Sequence, residues 1–196
     1  SLDAGDTHYP ENNGQPFLRQ AIARFEQEKH GLSYAPDEII VTVGATEALF
    51  CALFGILNPG DEVIVPTPAF GLYEAIIKLC RGVCVPLDTR ADGFQIRPAA
   101  LQAGCIYDHE SLTAVYDAAK EYPIFVLCDE VYRDLIYTDA FESFHQFSDL
   151  RSRIIEVQSF SKPYAMTGWR VGYLMADRPV KEQLEKIHQY NVVSIS

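Results

Sequence analysis

Ser159-Phe160-Ser161-Lys162 sets an amine behind two hydroxyls, and a guanidinium, Arg170, follows eight residues later. A lysine just past an apolar run, with hydroxyls before it and an arginine after it, has the parts of a nucleophilic amine beside an anion site. Any single lysine is more often a solvated surface charge, so the motif needs company. Asp129 closes the apolar run Ile124–Cys128. An acid just beyond a buried strand is poorly solvated and calls for a cationic partner, although a helix cap or structural ion pair would account for it equally. Val43-Gly44-Ala45-Thr46 joins an apolar strand to a helix. The first N–H groups of a helix, with a glycine permitting close approach, suit an anion; an ordinary tight turn reads the same way.

These residues need a scaffold that gathers them. Pro16 to His30 carries Phe17, Leu18, Ala21, Ile22 and Phe25 at helical spacing and stops at Gly31. Ile39–Val43 reads as a buried strand, and Ala45–Leu57 as a helix closed by Asn58-Pro59-Gly60. Val63–Val65 and Val83–Leu87 read as strands around a helix from Phe70 to Cys80, with Pro86 marking a strand end or edge. Residues 124–128, 154–157 and 171–175 give further strands, and Ser111–Glu121 and Val180–Tyr190 further helices. The alternation predicts an α/β fold: a mostly parallel sheet with helices on both faces, an α/β/α sandwich. Ligands of such sheets lie beyond the carboxyl ends of the strands, where Gly44, Asp129, Ser159 and Lys162 all fall. The rhythm breaks once. Pro98–Gln102 and Ser111–Glu121 both look helical, with only Cys105-Ile106-Tyr107 between them. A strand is expected there, so the pattern predicts a missing segment between Ala103 and Gly104.

The chain's 196 residues, 48% hydrophobic and 22% charged, suit one sizeable domain. A formal net charge of -11 disfavours nucleic acid and anionic membrane as partners. The longest apolar run, Ala48–Leu57, is far short of a membrane span, and no signal-peptide pattern is visible, so a cytoplasmic protein is expected. Five cysteines without metal-ligand spacing read as free thiols of a reducing compartment, and no metal site is expected. Taken together, Gly44, Asp129, Ser159, Lys162 and Arg170 form an inventory suited to pyridoxal phosphate. The lysine would form an imine, the acid would face the pyridinium nitrogen, and helix start, serine and arginine would hold the phosphate.

Ser159-Phe160-Ser161-Lys162-Pro163-Tyr164-Ala165-Met166-Thr167-Gly168-Trp169-Arg170-Val171-Gly172-Tyr173 resembles the lysine motif of class I/II aminotransferases, pyridoxal-phosphate enzymes of fold type I. Asp129-Glu130-Val131-Tyr132 resembles the acid motif of that family, and Val43-Gly44-Ala45-Thr46-Glu47-Ala48-Leu49 its phosphate loop. Asn58 to Val63 followed by Pro66-Thr67-Pro68-Ala69-Phe70 is similar to the segment that delivers an aromatic ring. Tyr9-Pro10 through Arg19 is similar to the region ahead of the loop. The resemblance spans nearly the whole chain and implies an amino-group exchange between an amino acid and a 2-oxo acid. It implies that Lys162 carries the cofactor as a Schiff base and moves the substrate's proton, and that Asp129 keeps the ring nitrogen protonated. Tyr132 would bond the phenolic oxygen and Phe70 stack on the ring. Ala45, Thr46, Ser159 and Arg170 would hold the phosphate, and Tyr9 would reach the phosphate of a neighbouring subunit in a homodimer with shared sites.

Two departures matter. The family's Asn-Pro-Thr-Gly segment is reduced here to Gly104, at the place where the strand rhythm breaks. The small C-terminal domain, with the arginine that takes the substrate carboxylate, is also expected to lie outside this chain. The chain is therefore expected to be an incomplete large domain and a poor catalyst alone. A carbon–sulfur β-lyase or another class I/II enzyme shares the same constellation. A cofactor-sensing domain of a transcription regulator, or a degenerate relative, also remains open.

Overall fold

The computed structural model describes residues 10–90, 94–96, 107–137 and 141–192. Its centre is a sheet of β1 (Ile39–Thr42), β6 (Gly172–Ala176), β5 (Ile154–Ser159) and β4 (Val126–Asp129), in that order. β1, β5 and β6 are buried along their whole length, as their apolar runs require when both faces are covered. β4 is parallel to β5, and β6 is antiparallel to both β5 and β1. Strands β1, β5 and β4 thus run one way and β6 alone runs back, so the expected mostly parallel sheet is present with one reversed strand. The reversal follows from the lysine segment itself. Only the short 3-10 turn Thr167–Trp169 lies between β5 and β6, and a direct return without an α-helical crossover leaves only an antiparallel neighbour. The Phe160 N–H donates to the Val171 carbonyl at 3.1 Å to close that return. β2 (Glu62–Thr67) and β3 (Val83–Asp88) form a separate parallel pair.

Alternation along each strand feeds two cores, one on each side of the sheet. Ile40, Ile155, Val157, Leu174 and Ala176 pack with Ala48, Leu49 and Ala52 of α2 (Gly44–Ile56), Ile76 and Ile77 of α3 (Leu72–Leu79) and Leu184 of α5 (Arg178–Asn191). On the other side, Ile39, Val41, Tyr173 and Met175 meet Ile22 of α1 (Pro16–His30). Cys128 and Ile154 meet Leu112 and Ala119 of α4 (His109–Glu121), with Phe144 and Leu150. Helices on both faces are the sandwich expected from sequence. Element edges move by a few residues: the helix expected from Phe70 begins at Leu72, the strand expected from Ile124 begins at Val126, and α5 begins at Arg178 with a proline in its first turn. The expected helix over 98–102 and the junction at Ala103–Gly104 lie outside the described residues.

One buried polar tie fixes the start of α2. His188 of α5, fully buried, meets Glu47 Oε1 through Nδ1 and the Asn12 carbonyl through Nε2, each at 2.8 Å. Glu47 Oε2 accepts the Val43 N–H at 2.5 Å. Glu47 therefore satisfies a donor at the helix start while holding α5 and the chain before Gly14 against it. Among the described residues Cys51, Cys80, Cys84 and Cys128 are free thiols.

Candidate active site

The carboxyl ends of β1, β4 and β5 point to the same edge of the sheet, and each ends at a candidate residue: Gly44 just past β1, Asp129 at the end of β4 and Ser159 at the end of β5.

Gly44 turns into α2 with φ +70°, and its place is taken up on two sides. A Cβ there would come within 2.7 Å of an Arg170 terminal nitrogen. A Cβ on Gly172, the first residue of β6, would lie 2.7 Å from the Gly44 carbonyl carbon and 2.8 Å from the Ala45 nitrogen. Two glycines therefore let the strand end, the helix start and the Arg170 guanidinium converge. Arg170 itself sits in the left-handed region at φ +54°, exposed, with Nη1 donating to the Thr167 carbonyl at 3.2 Å. Ala45 is half-buried and Thr46 exposed at the same helix start. Strain at a non-glycine residue is tolerated where surrounding structure over-determines it, and such places cluster at functional sites.

Asp129 is half-buried, and its two oxygens differ. Oδ2 accepts the Tyr73 hydroxyl at 2.6 Å, whereas Oδ1 is buried without a hydrogen-bond partner. Burial pushes the Asp129 carboxyl above its usual range, and the bonds from Tyr73 and the Val131 N–H draw it partly back. Tyr73 in turn meets Phe70 edge to face, ring centroids 6.0 Å apart. Phe70 is 64% exposed, a flat apolar surface joined to the acid through Tyr73. Beyond Asp129, the exposed ring of Tyr132 lies under the Lys162 ammonium, 5.1 Å from Nζ to the centroid. Lys162 is exposed at the turn after β5. Ser159 is buried; its hydroxyl donates to the Val171 carbonyl at 3.4 Å and accepts the Ser161 N–H at 3.1 Å. Tyr9 lies outside the described residues.

Sequence reasoning missed Tyr73. Its signal was positional: three residues after Phe70, it falls one helical turn along the same side of the chain. The charged layer beneath β4 and β5 was missed as well. Arg133, buried, binds Glu26 with both oxygens at 2.7 and 2.8 Å and approaches Glu156 and Glu130 at 3.5 Å. Glu156, fully buried on β5, also accepts Gln158 at 2.6 Å and pairs with His145 at 3.0 Å. Burial pushes Glu156 up to about 8 and Glu130 up to about 7. Three carboxylates around one guanidinium cannot all be ionised cheaply in a poorly solvated layer, so protons are retained there.

The residues present fit a phosphorylated pyridine. A buried carboxylate oxygen without a partner is the natural acceptor for a ring N–H. A glycine-opened helix start beside a guanidinium suits a phosphate.

The profile of the aminotransferase class I and II family matches residues 2–104 and 102–196. YugH of Bacillus subtilis (strain 168) is 38% identical over 210 residues, covering 97% of this chain and 54% of its own length. The aspartate aminotransferase of Pyrococcus horikoshii is 32% identical over 215 positions, covering all of this chain and 55% of the relative. Among solved structures, the Escherichia coli protein YbdL, described as having a methionine aminotransferase function, superposes with a TM-score of 0.89 at 29% identity, covering 99% of this chain and 57% of that one. The fold is that of the aminotransferases among the solved structures it matches. The chain belongs to the class I and II aminotransferase family, and it spans about half the length of the relatives it matches.

Proposed function

We propose that this chain is the cofactor-binding domain of a pyridoxal-phosphate-dependent aminotransferase that moves an amino group between an amino acid and a 2-oxo acid. The observation that carries the reading is the buried, unpartnered Oδ1 of Asp129 at the sheet edge shared with Lys162. When bound, pyridoxal phosphate draws electrons from the bonds at the amino acid's α-carbon. Asp129 Oδ1 would hold a proton on the ring nitrogen, and Tyr132 would donate to the phenolic oxygen. Phe70 would cover one ring face and keep water from it. Gly44, Ala45 and Thr46 would offer the helix start to the phosphate, with Arg170 and the Ser159 hydroxyl, which now bonds the Val171 carbonyl at 3.4 Å. Lys162 Nζ would hold the cofactor and, once the substrate's amino group displaces it, would be the base that moves the α-carbon proton. Tyr9 serves the neighbouring subunit's phosphate in a homodimer with shared sites. No helix among the described residues is long and apolar enough to cross a membrane. A cytoplasmic location belongs to the same reading. The relatives' names differ between aspartate and methionine, so the amino acid is left general.

The test is chemical. The intact protein is incubated with pyridoxal phosphate, reduced with borohydride and mapped by peptide mass spectrometry. Label on Lys162, lost in Lys162→Ala, is expected; a folded protein with no label there overturns the reading.

The same reading includes a large domain one strand short. The sheet is divided between β4 and the β2–β3 pair, and Ile64 of β2 is 63% exposed. The family profile breaks at residues 102–104. The Pyrococcus horikoshii alignment runs over 215 positions against this chain's 196 residues, so about twenty positions of that relative face a gap. Grafting those positions between Ala103 and Gly104 is expected to raise the melting temperature. An unchanged or lower value counts against a missing strand.

A further inference from the structure

Tyr73 touches both the proposed ring-facing acid and the proposed ring-stacking aromatic. Its hydroxyl meets Asp129 Oδ2 at 2.6 Å, and its ring stands perpendicular to Phe70. We infer that Tyr73 is a positioning residue: by donating to Oδ2 it fixes the rotation of the Asp129 carboxylate and presents Oδ1 to the ring nitrogen. The inference rests on the function proposed above but makes a claim about this chain that holds without the cofactor.

A carboxylate at the end of a strand can turn about its Cβ–Cγ bond, and either oxygen can then face the site. A phenol anchored in a helix removes that freedom, because its ring is held by α3 at a fixed distance from β4. Burial and the neighbouring carboxylate push the Tyr73 hydroxyl well above its usual range, so it stays a donor throughout the working pH range. The bond also opposes the burial that raises Asp129, favouring the ionised acid that a ring N–H needs. The charged and titratable groups around the pair are few. Glu156 on β5 and Cys128 on β4 feel the Asp129 charge, and the Tyr107 and Tyr132 hydroxyls act on Tyr73. The Val131 N–H also draws on the Asp129 carboxylate, and the Tyr73 hydroxyl, at 2.6 Å from Oδ2, is the side-chain donor that orients it.

The first experiment uses the cofactor-free protein, with Asp carboxyl and Tyr ring carbons followed by NMR across pH. The Asp129 midpoint is expected to rise by roughly one pH unit in Tyr73→Phe, the size set by losing one hydrogen bond to a charged acceptor. In the unsubstituted protein the Tyr73 ring carbon is expected to move at the same midpoint as Asp129, a reading that needs no variant to fold. An unmoved midpoint in folded Tyr73→Phe, or a Tyr73 resonance indifferent to the Asp129 titration, overturns the inference. A second experiment measures pyridoxal phosphate binding. Tyr73→Phe is expected to weaken it about tenfold, but less than twofold in an Asp129→Asn background, because the tyrosine acts through the carboxylate. Equal loss in both backgrounds means a merely structural tyrosine. Failure of the unsubstituted protein to bind pyridoxal phosphate would sink the proposed function and leave the NMR result standing by itself.

Discussion

The Arg170 guanidinium stands 2.7 Å from the position that a Cβ on Gly44 would occupy. The two residues come from segments far apart in sequence, and each is in the left-handed backbone region, at φ +54° and +70°. The arginine reaches the helix start only because residue 44 has no side chain. The neighbouring Gly172 does the same for the backbone, admitting the turn between β1 and α2 against the first residue of β6.

Gly44→Ala is therefore expected to displace Arg170 and to strain the turn, at a cost of about 1–3 kcal/mol borne largely by the site. Pyridoxal phosphate titration monitored by absorbance should show affinity falling by one to two orders of magnitude in a protein that still folds. Unchanged affinity would mean that the glycine and the arginine do not meet in the intact protein.

The charged layer under β4 and β5 makes stability depend on pH. Burial raises Glu130 to about 7 and Glu156 to about 8, both above the ordinary value of 4.5 that an unfolded chain would show. The native state thus holds more protons than the unfolded one across that interval, so stability is fully present below about pH 4.5 and declines towards pH 8. Melting curves between pH 5 and 8.5 should show this fall, and Glu156→Gln should flatten it. A melting temperature that rises over the same range would contradict the assignment.

Arg133 is the cation that this layer depends on, with Glu26 bound at 2.7 Å and Glu156 at 3.5 Å. Arg133→Met leaves buried carboxylates without their partner, and breaking a buried pair in this way costs about 3–5 kcal/mol. Urea denaturation should register that loss. The triple substitution Arg133→Met, Glu26→Gln, Glu156→Gln should recover part of it.

His188 makes a different kind of prediction, because it joins three segments. Both of its ring nitrogens face acceptors, Glu47 and the Asn12 carbonyl, each at 2.8 Å. His188→Ala removes a partner from Glu47 Oε1 and from the Asn12 carbonyl and opens a cavity between α2 and α5, for about 2–4 kcal/mol. Denaturation with simultaneous hydrogen exchange should show the largest loss of protection at the start of α2 and in residues 10–14. A uniform loss across the molecule would mean that the tie is not local.

Much of this protein was decided by the order of its residues. The apolar run Ile39–Val43 reads as a strand buried on both faces, and the alternation of strands with helices set the layers. Gly44, Asp129, Ser159 and Lys162 could be assigned to one edge because strands running the same way place their carboxyl ends together. The tertiary structure decided what no local pattern contains. The return through the lysine segment makes β6 antiparallel, since its length without an α-helix allows no crossover. The partner of Asp129 is Tyr73, brought by a helix more than fifty residues earlier in the chain. Nothing in the local pattern joins Glu26, Arg133 and Glu156, yet folding brings these three segments into one buried layer. Charge type and spacing are local properties, whereas burial and partnership depend on which segments pack together.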